Sequence, residues 1–183
     1  MKIPRKTLNI LSIGLAAIAI ALLLPPANET HAPSTSKHDT VDLYLEQAIY
    51  HQYNQTGRLH NTASASTVTH YQQAKTTLLT EPEFLAYSDD GTAWRTTAST
   101  AQLLADGNTI ELKDSVKVVN TKEGLVIRTE FVTGNTQTNL VSTELEIIIE
   151  SPEGRTTAVG LRGDLNQEKL ELLSDVKSTY TPR

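Results

Sequence analysis

Thr109–Val118 reads TIELKDSVKV, and Lys169–Ser178, sixty residues later, reads KLELLSDVKS. Glu111, Leu112, Val116 and Lys117 have identical partners in Glu171, Leu172, Val176 and Lys177, and Thr96, Thr97 and Ala98 recur as Thr156, Thr157 and Ala158 at the same offset. Self-similarity at one fixed spacing marks a structural unit used twice. Within each copy the side chains alternate. Ile110, Leu112, Val116 and Val118 oppose Glu111, Lys113, Ser115 and Lys117; Leu170, Leu172, Val176 and Tyr180 oppose Glu171, Asp175, Lys177 and Thr179. Period two means a strand with one apolar and one wet face.

The same alternation fills the space between the copies. Leu125, Ile127, Thr129 and Phe131 oppose Arg128 and Glu130, and Val141, Thr143, Leu145, Ile147 and Ile149 oppose Ser142, Glu144 and Glu146. Turn signals punctuate these runs at Gln55-Thr56-Gly57, Asp89-Asp90-Gly91, Asp106-Gly107-Asn108, Lys122-Glu123-Gly124 and Pro152-Glu153-Gly154, spacings that favour hairpins and meanders. Leu45–Tyr53, LEQAIYHQY, fits a helical period about as well, and the Thr-rich NTASASTVTHYQQ after it is weakly patterned; both are read as strands. Gly160 and Gly163 read as a turn or bulge requirement. The expectation is an all-β fold of repeated antiparallel strands: stacked rungs or a folded-over sheet with one continuous apolar interior.

The chain has 183 residues, 38% hydrophobic and 20% charged, with net charge −5, a length suited to one domain with appendages. The negative balance and the lack of a basic cluster in the body argue against nucleic acid. With no cysteine, disulfides, thiolate metal sites and cysteine nucleophiles are excluded. Leu8–Leu24, LNILSIGLAAIAIALLL, carries no charge and as a helix would span about 26 Å, close to a bilayer core. Lys2, Arg5 and Lys6 precede it and Glu29, Asp39 and Asp42 follow, which keeps the N-terminus cytoplasmic and sends the body outward. Pro25-Pro26 directly after the run, without a small-x-small cleavage site, favours an uncleaved anchor over a signal peptide. The expected organisation is a basic tip and transmembrane anchor over 1–24, a polar, Pro-containing tether over 25–40 and a β domain over 41–183.

No constellation for chemistry emerges. His31, His38, His51, His60 and His70 show no metal-ligand spacing, Asp89-Asp90-Gly91 lacks the further carboxylates of a calcium loop, and neither GxSxG nor a phosphate cradle is present. Glu144 and Glu146 lie on the wet parity of their strand. Asn28-Glu29-Thr30 and Asn54-Gln55-Thr56 match the glycosylation acceptor formally. Trp94, the only tryptophan, reads as a packing residue. Neither an enzyme nor a cofactor is expected.

An anchor, a tether and a Thr-rich β body resemble the LptC family of the lipopolysaccharide export machine. The segments that carry the similarity are YHQYNQTGRL, LLTEPEFLAY, AWRTTASTAQL leading into TIELKDSVKV, LVIRTEFV, and above all GLRGDLNQEKLELLSDVKSTY. It covers Lys2 to Tyr180. The resemblance implies an open, twisted β-jellyroll behind a single transmembrane helix, in the inner membrane of a Gram-negative bacterium with its domain in the periplasm. It implies a non-catalytic role: lipopolysaccharide leaves the membrane through the LptB2FG transporter, passes along the jellyroll interior and is handed to LptA for assembly at the outer membrane. Drawing an acyl chain of about a dozen carbons into water costs on the order of 10 kcal/mol, so a many-tailed lipid needs an unbroken apolar path.

By this matching Leu79, Leu170 and Tyr180 are expected to contact lipid. Parity adds Ile110, Leu112, Phe131, Leu145, Ile147, Leu172 and Val176, and Phe84 joins from its place beside the TEP turn. The resemblance further implies that Leu165–Tyr180, with Leu165, Leu170, Leu172 and Tyr180, offers a strand edge to LptA. Leu43, Leu45, Ile49 and Tyr53 would face LptF and LptG, Thr181-Pro182-Arg183 would stop pairing past the last strand, and Gly14, Ala16 and Ala17 would let the anchor pack beside the transporter's helices. Two rival readings are an envelope adaptor that joins β-rich proteins through strand edges without carrying lipid, and a periplasmic glycan-binding module or polysaccharide enzyme, for which clustered aromatics or paired carboxylates are lacking.

Overall fold

The computed structural model describes residues 40–87, 92–165, 167 and 169–180. The anchor and tether, Asp89-Asp90-Gly91, His31, His38, the small residues from Gly14 to Ala17, Asn28-Glu29-Thr30 and Thr181-Pro182-Arg183 all lie outside the described residues. Among the described residues there is no helix, and none is long and apolar enough to cross a membrane.

Eleven strands form one continuous antiparallel sheet: β1 (Val41–Tyr53), β2 (Leu59–Tyr71), β3 (Thr76–Thr80), β4 (Glu83–Tyr87), β5 (Ala93–Thr97), β6 (Thr100–Leu103), β7 (Thr109–Asn120), β8 (Leu125–Asn135), β9 (Leu140–Ser151), β10 (Gly154–Asp164) and β11 (Lys169–Tyr180). The all-β expectation holds, and the arrangement is consistent with a jellyroll. Leu45–Tyr53 is strand, within β1. The turns signalled at Gln55–Gly57, Asp106–Asn108, Lys122–Gly124 and Pro152–Glu153 are present. Two more, at 72–75 and 136–139, carry no glycine; Lys75 and Asn139 take the left-handed backbone there (φ 52 and 56).

The sheet is creased across its width. β2 pairs with β4 through Asn61–Ser64 and with β3 through Thr67–Tyr71, while β7 pairs with β6 through Ile110–Lys113 and with β5 through Lys117–Asn120. β3 therefore turns into β4 at Glu81-Pro82, and β5 into β6 at Ala98-Ser99. At the same level Gln47 in β1, Glu81, Asp114 and Ser115 in β7, Gly160 in β10 and Asp175 in β11 all have positive φ. The register shifts between Lys113 and Val116, between Arg128 and Thr133, and between Val159 and Leu161 fall on this line too. Each long strand thus bends mid-way, and the sheet folds over on itself so that its two halves pack face to face.

The sixty-residue repeat is the creased strand with its neighbour. Trp94↔Asn120, Thr97↔Lys117, Ala101↔Leu112 and Leu103↔Ile110 in the first unit recur as Gly154↔Tyr180, Thr157↔Lys177, Leu161↔Leu172 and Gly163↔Leu170 in the second. The paired Thr-Thr, the Glu-Leu and the Val-Lys steps are written twice because one bent hairpin is built twice. Gly160 marks the second crease, with φ +78 and a position where a Cβ would lie 2.8 Å from Leu173 Cδ1.

Candidate functional site: the apolar interior and the two sheet edges

Folding at the crease presses the apolar faces of the two halves together. At the β1 end Ala63, Ala65, Phe84 and Val116 meet Val68, Leu79, Ala101, Ile110 and Leu112, with Ala48, Tyr50 and Val132 packed against them. A second cluster joins Ala86 and Trp94 to Leu165, with Val118, Leu125, Val141 and Leu170 around them. A third joins Ile147, Ala158 and Leu161 to Leu170, Leu172, Val176, Ile149 and Val141. Val141 and Leu170 belong to both of the latter, so apolar contact runs on between them. Trp94, 1% exposed, is a packing residue as its sequence suggests.

Among the described residues no Asp, Glu, Lys or Arg is buried; the polar side chains inside are Asn61, Asn120 and threonines. Charged groups stay on the outer faces, where Arg95 meets Glu83 at 3.2 Å and Arg128 and Arg155 meet Glu150. Arg128, chiefly through its hydrogen bond, holds the Glu150 carboxyl below the ordinary glutamate value. Hydrogen bonds from the Thr109 hydroxyl and backbone do the same for Asp106 in its turn. Among the described residues no His, Asp or Glu group is arranged to hold a metal ion.

The expected lipid-contacting residues divide in two. Leu79, Phe84, Ile110, Leu112 and Ile147 are buried in the interior, and Leu170, Leu172 and Val176 are half-buried against it. Phe131 departs from the parity expectation. The crease shifts β8 by one residue, so Val132 pairs with Leu112 inside while Phe131 pairs with Lys113 on the outer face. Leu145 sits on the crease of β9 and is 45% exposed, beside Phe131, Glu130 and Glu144. Tyr180 ends β11 at 70% exposed, beyond the clusters. Alternation continued through a bend misplaces Phe131 and Leu145, which lie at the bends of β8 and β9, while Val116, Ile147 and Val176 beyond theirs stay inside.

The interior is closed at its middle, where Ala101 is 0% and Leu79 and Val116 are 1% exposed. It opens at the β1 end into an apolar cavity of about 190 Å³, lined by Leu43, Leu45, Ala48, Tyr50, Ala65 and Val68 among others. Leu43, Leu45 (39% exposed) and Ile49 (68% exposed) line this mouth together, whereas Tyr53, 61% exposed, lies outside it. Sequence reasoning put Leu43, Leu45, Ile49 and Tyr53 on one surface; the first three share the mouth, and Ala48 and Tyr50, which alternation did not mark, join them there.

Among the described residues neither end of the sheet carries a further strand. β1 pairs only with β2, and β11 only with β10. Leu165 is not on the β11 edge; it is 5% exposed and packs beneath Trp94, because the β10–β11 turn folds it inward.

Two comparisons complete the description. A family model described as "Lipopolysaccharide-assembly, LptC-related" matches residues 10–181. No curated protein matches the chain.

Proposed function

The chain belongs to the LptC-related lipopolysaccharide-assembly family, and from that premise we propose that it is a non-catalytic carrier through which lipopolysaccharide passes between the two halves of the creased sheet. Participation in lipopolysaccharide transport follows from the family. The finer reading is a jellyroll open along its seam, held at the inner membrane by the Leu8–Leu24 helix with its N-terminus in the cytoplasm. It takes lipopolysaccharide from LptF and LptG of the LptB2FG transporter at the β1 end and passes it to LptA at the β11 end. Leu79, Phe84, Ile110, Leu112, Ile147, Leu170, Leu172 and Val176 would line the path.

The observation that carries this reading is the absence of any buried charge among the described residues, along an interior with a free strand edge at each end. Acyl tails would meet only apolar groups, neutral amides and hydroxyls there, at about 0.8 kcal/mol per methylene kept from water. Sugars and phosphates would remain in solvent. No bond is made or broken; work comes from the transporter's ATP hydrolysis, and strand addition at the edges supplies the contacts between proteins.

The closed packing at Leu79, Ala101 and Val116 favours a second reading, an adaptor that joins transporter and bridge by its edges while lipid moves elsewhere. Reconstitution of the full chain with the transporter in vesicles separates the two. With a photo-crosslinking residue at Leu79 or Leu172, the carrier reading predicts an ATP-dependent lipopolysaccharide adduct on this chain before lipid reaches LptA. Arrival of lipid at LptA with no adduct at either position would favour the adaptor.

A further inference from the structure

Three buried polar atoms have no hydrogen-bond partner among the described residues: Asn61 Oδ1, Trp94 Nε1 and Asn120 Nδ2. They are not scattered. Asn61 pairs with Ala86, Ala86 with Trp94 and Trp94 with Asn120, so all three stand on one rung across β2, β4, β5 and β7. Asn61 is 6%, Trp94 1% and Asn120 0% exposed, on the inner face beside Ala86 and the Leu165 cluster. An orphaned buried polar group costs stability, and three on a single rung of an interior with no buried charge among the described residues call for a ligand that answers them.

The remaining atoms of the two amides are already committed. Asn120 Oδ1 accepts from Lys122 N at 3.0 Å and Glu123 N at 3.2 Å, which fixes Nδ2 as an inward donor. Asn61 Nδ2 donates to Gln52 Oε1 at 2.8 Å, which leaves Oδ1 as the open acceptor. Trp94 Nε1 can only donate. Directly paired residues have Cβ atoms about 5 Å apart, so the residues that carry the two donors adjoin, and Asn61, which carries the acceptor, stands two strand spacings, about 10 Å, from Trp94 along the rung. Between them stands Ala86, 6% exposed, the smallest apolar side chain on the rung.

Resting on the carrier reading, we propose that this rung is a polar latch for the linkage region of a passing acyl lipid. Trp94 and Asn120 donate to the carbonyl oxygen of an amide- or ester-linked acyl chain, and Asn61 accepts from a hydroxyl or amide N–H on the same chain. An alkyl chain without these groups slides past; a hydroxyacyl chain is held at one register. The latch thus selects for the chemistry at the head of the tail rather than for its length.

The single tryptophan makes the test direct. Full-length chain in detergent is titrated with two probes of equal chain length, N-(β-hydroxytetradecanoyl)glucosamine and tetradecyl glucoside, while the one indole N–H resonance is followed by NMR. The expected result is a downfield indole shift with the acyl probe alone and about tenfold tighter binding of it, the worth of one or two net hydrogen bonds. Asn120→Asp keeps the acceptor for Lys122 and Glu123 but loses the donor, and Asn61→Leu loses the acceptor; each should bring the two probes within about twofold of one another. Should a variant fail to fold, the two-probe comparison on the native chain decides alone. Equal binding of both probes with an unmoved indole resonance means an ordered water only at the rung, and overturns the latch while leaving the carrier reading intact. Binding of neither probe overturns both.

Discussion

Leu79→Ala should be among the most costly single truncations in the domain. Leu79 is 1% exposed at the centre of the β1-end cluster. The change removes three carbons, worth about 2.4 kcal/mol at ~0.8 each. The surrounding Ala63, Ala65 and Ala101 have no side-chain length with which to refill the space, so most of the cavity persists. At about 24 cal/mol per Å³, a residual void of roughly 60 Å³ adds about 1.4 kcal/mol. The sum is about 4 kcal/mol, within the usual span for a buried leucine. Its neighbour Leu78 is half-buried on the opposite face of β3, and Leu78→Ala should cost no more than about 1.5 kcal/mol. Urea unfolding of the two variants beside the parent, with equal slopes, measures both. Comparable losses, or a Leu79→Ala loss under about 1.5 kcal/mol, would refute the inward assignment of Leu79 and with it the folded-over sheet. If the carrier reading holds, added lipopolysaccharide should restore part of the Leu79→Ala loss by filling the void, and none of the Leu78→Ala loss.

Three further outcomes are expected. A Cβ at Gly154 would stand 2.1 Å from the Thr179 carbonyl oxygen, so Gly154→Ala should peel the end of β11 from β10; amide exchange at Thr179 and Tyr180 should quicken while that of Ile110 does not. Ile49→Lys, at the rim of the β1 mouth and 68% exposed, should leave the urea midpoint within about 0.5 kcal/mol, yet reduce retention of the chain by the transporter if that surface docks there. Glu150, held below its ordinary 4.5 by Arg128, stabilises fully above the unfolded value and loses that contribution as pH falls through the depressed folded value. Arg128→Gln should therefore flatten the decline of Tm between about pH 5 and about pH 3, and an unchanged slope would show the pair to be idle.

Much of the architecture is legible in the chain because a strand announces itself by period two and a tight turn by Asp-Gly or Glu-Gly. The repeat is also legible, and it is the same bent hairpin in the same register. What is not legible is the crease itself. It is carried mostly by Gln47, Glu81, Asp114, Ser115 and Asp175 in a left-handed backbone, residues that need no special composition there and are held by the pairing on either side. Only Gly160 declares its bend. In consequence Leu112, Ile147 and Leu172 fall inside as alternation suggests, whereas Phe131 and Leu145, at the bends of β8 and β9, do not. The polar rung of Asn61, Trp94 and Asn120 joins residues from three separated segments, and only strand order brings them into line.

The most direct measurement is photo-crosslinking in neighbouring pairs, Leu78 against Leu79 and Leu172 against Leu173, in the full chain with the transporter, ATP and lipopolysaccharide. Members of each pair share a strand and differ only in the face they occupy: Leu79 and Leu172 pack into the interior, and Leu173 is 36% exposed. The account predicts adducts from Leu79 and Leu172 and almost none from Leu78 and Leu173. Equal adducts within each pair, or adducts from the outer members alone, would contradict passage between the folded halves.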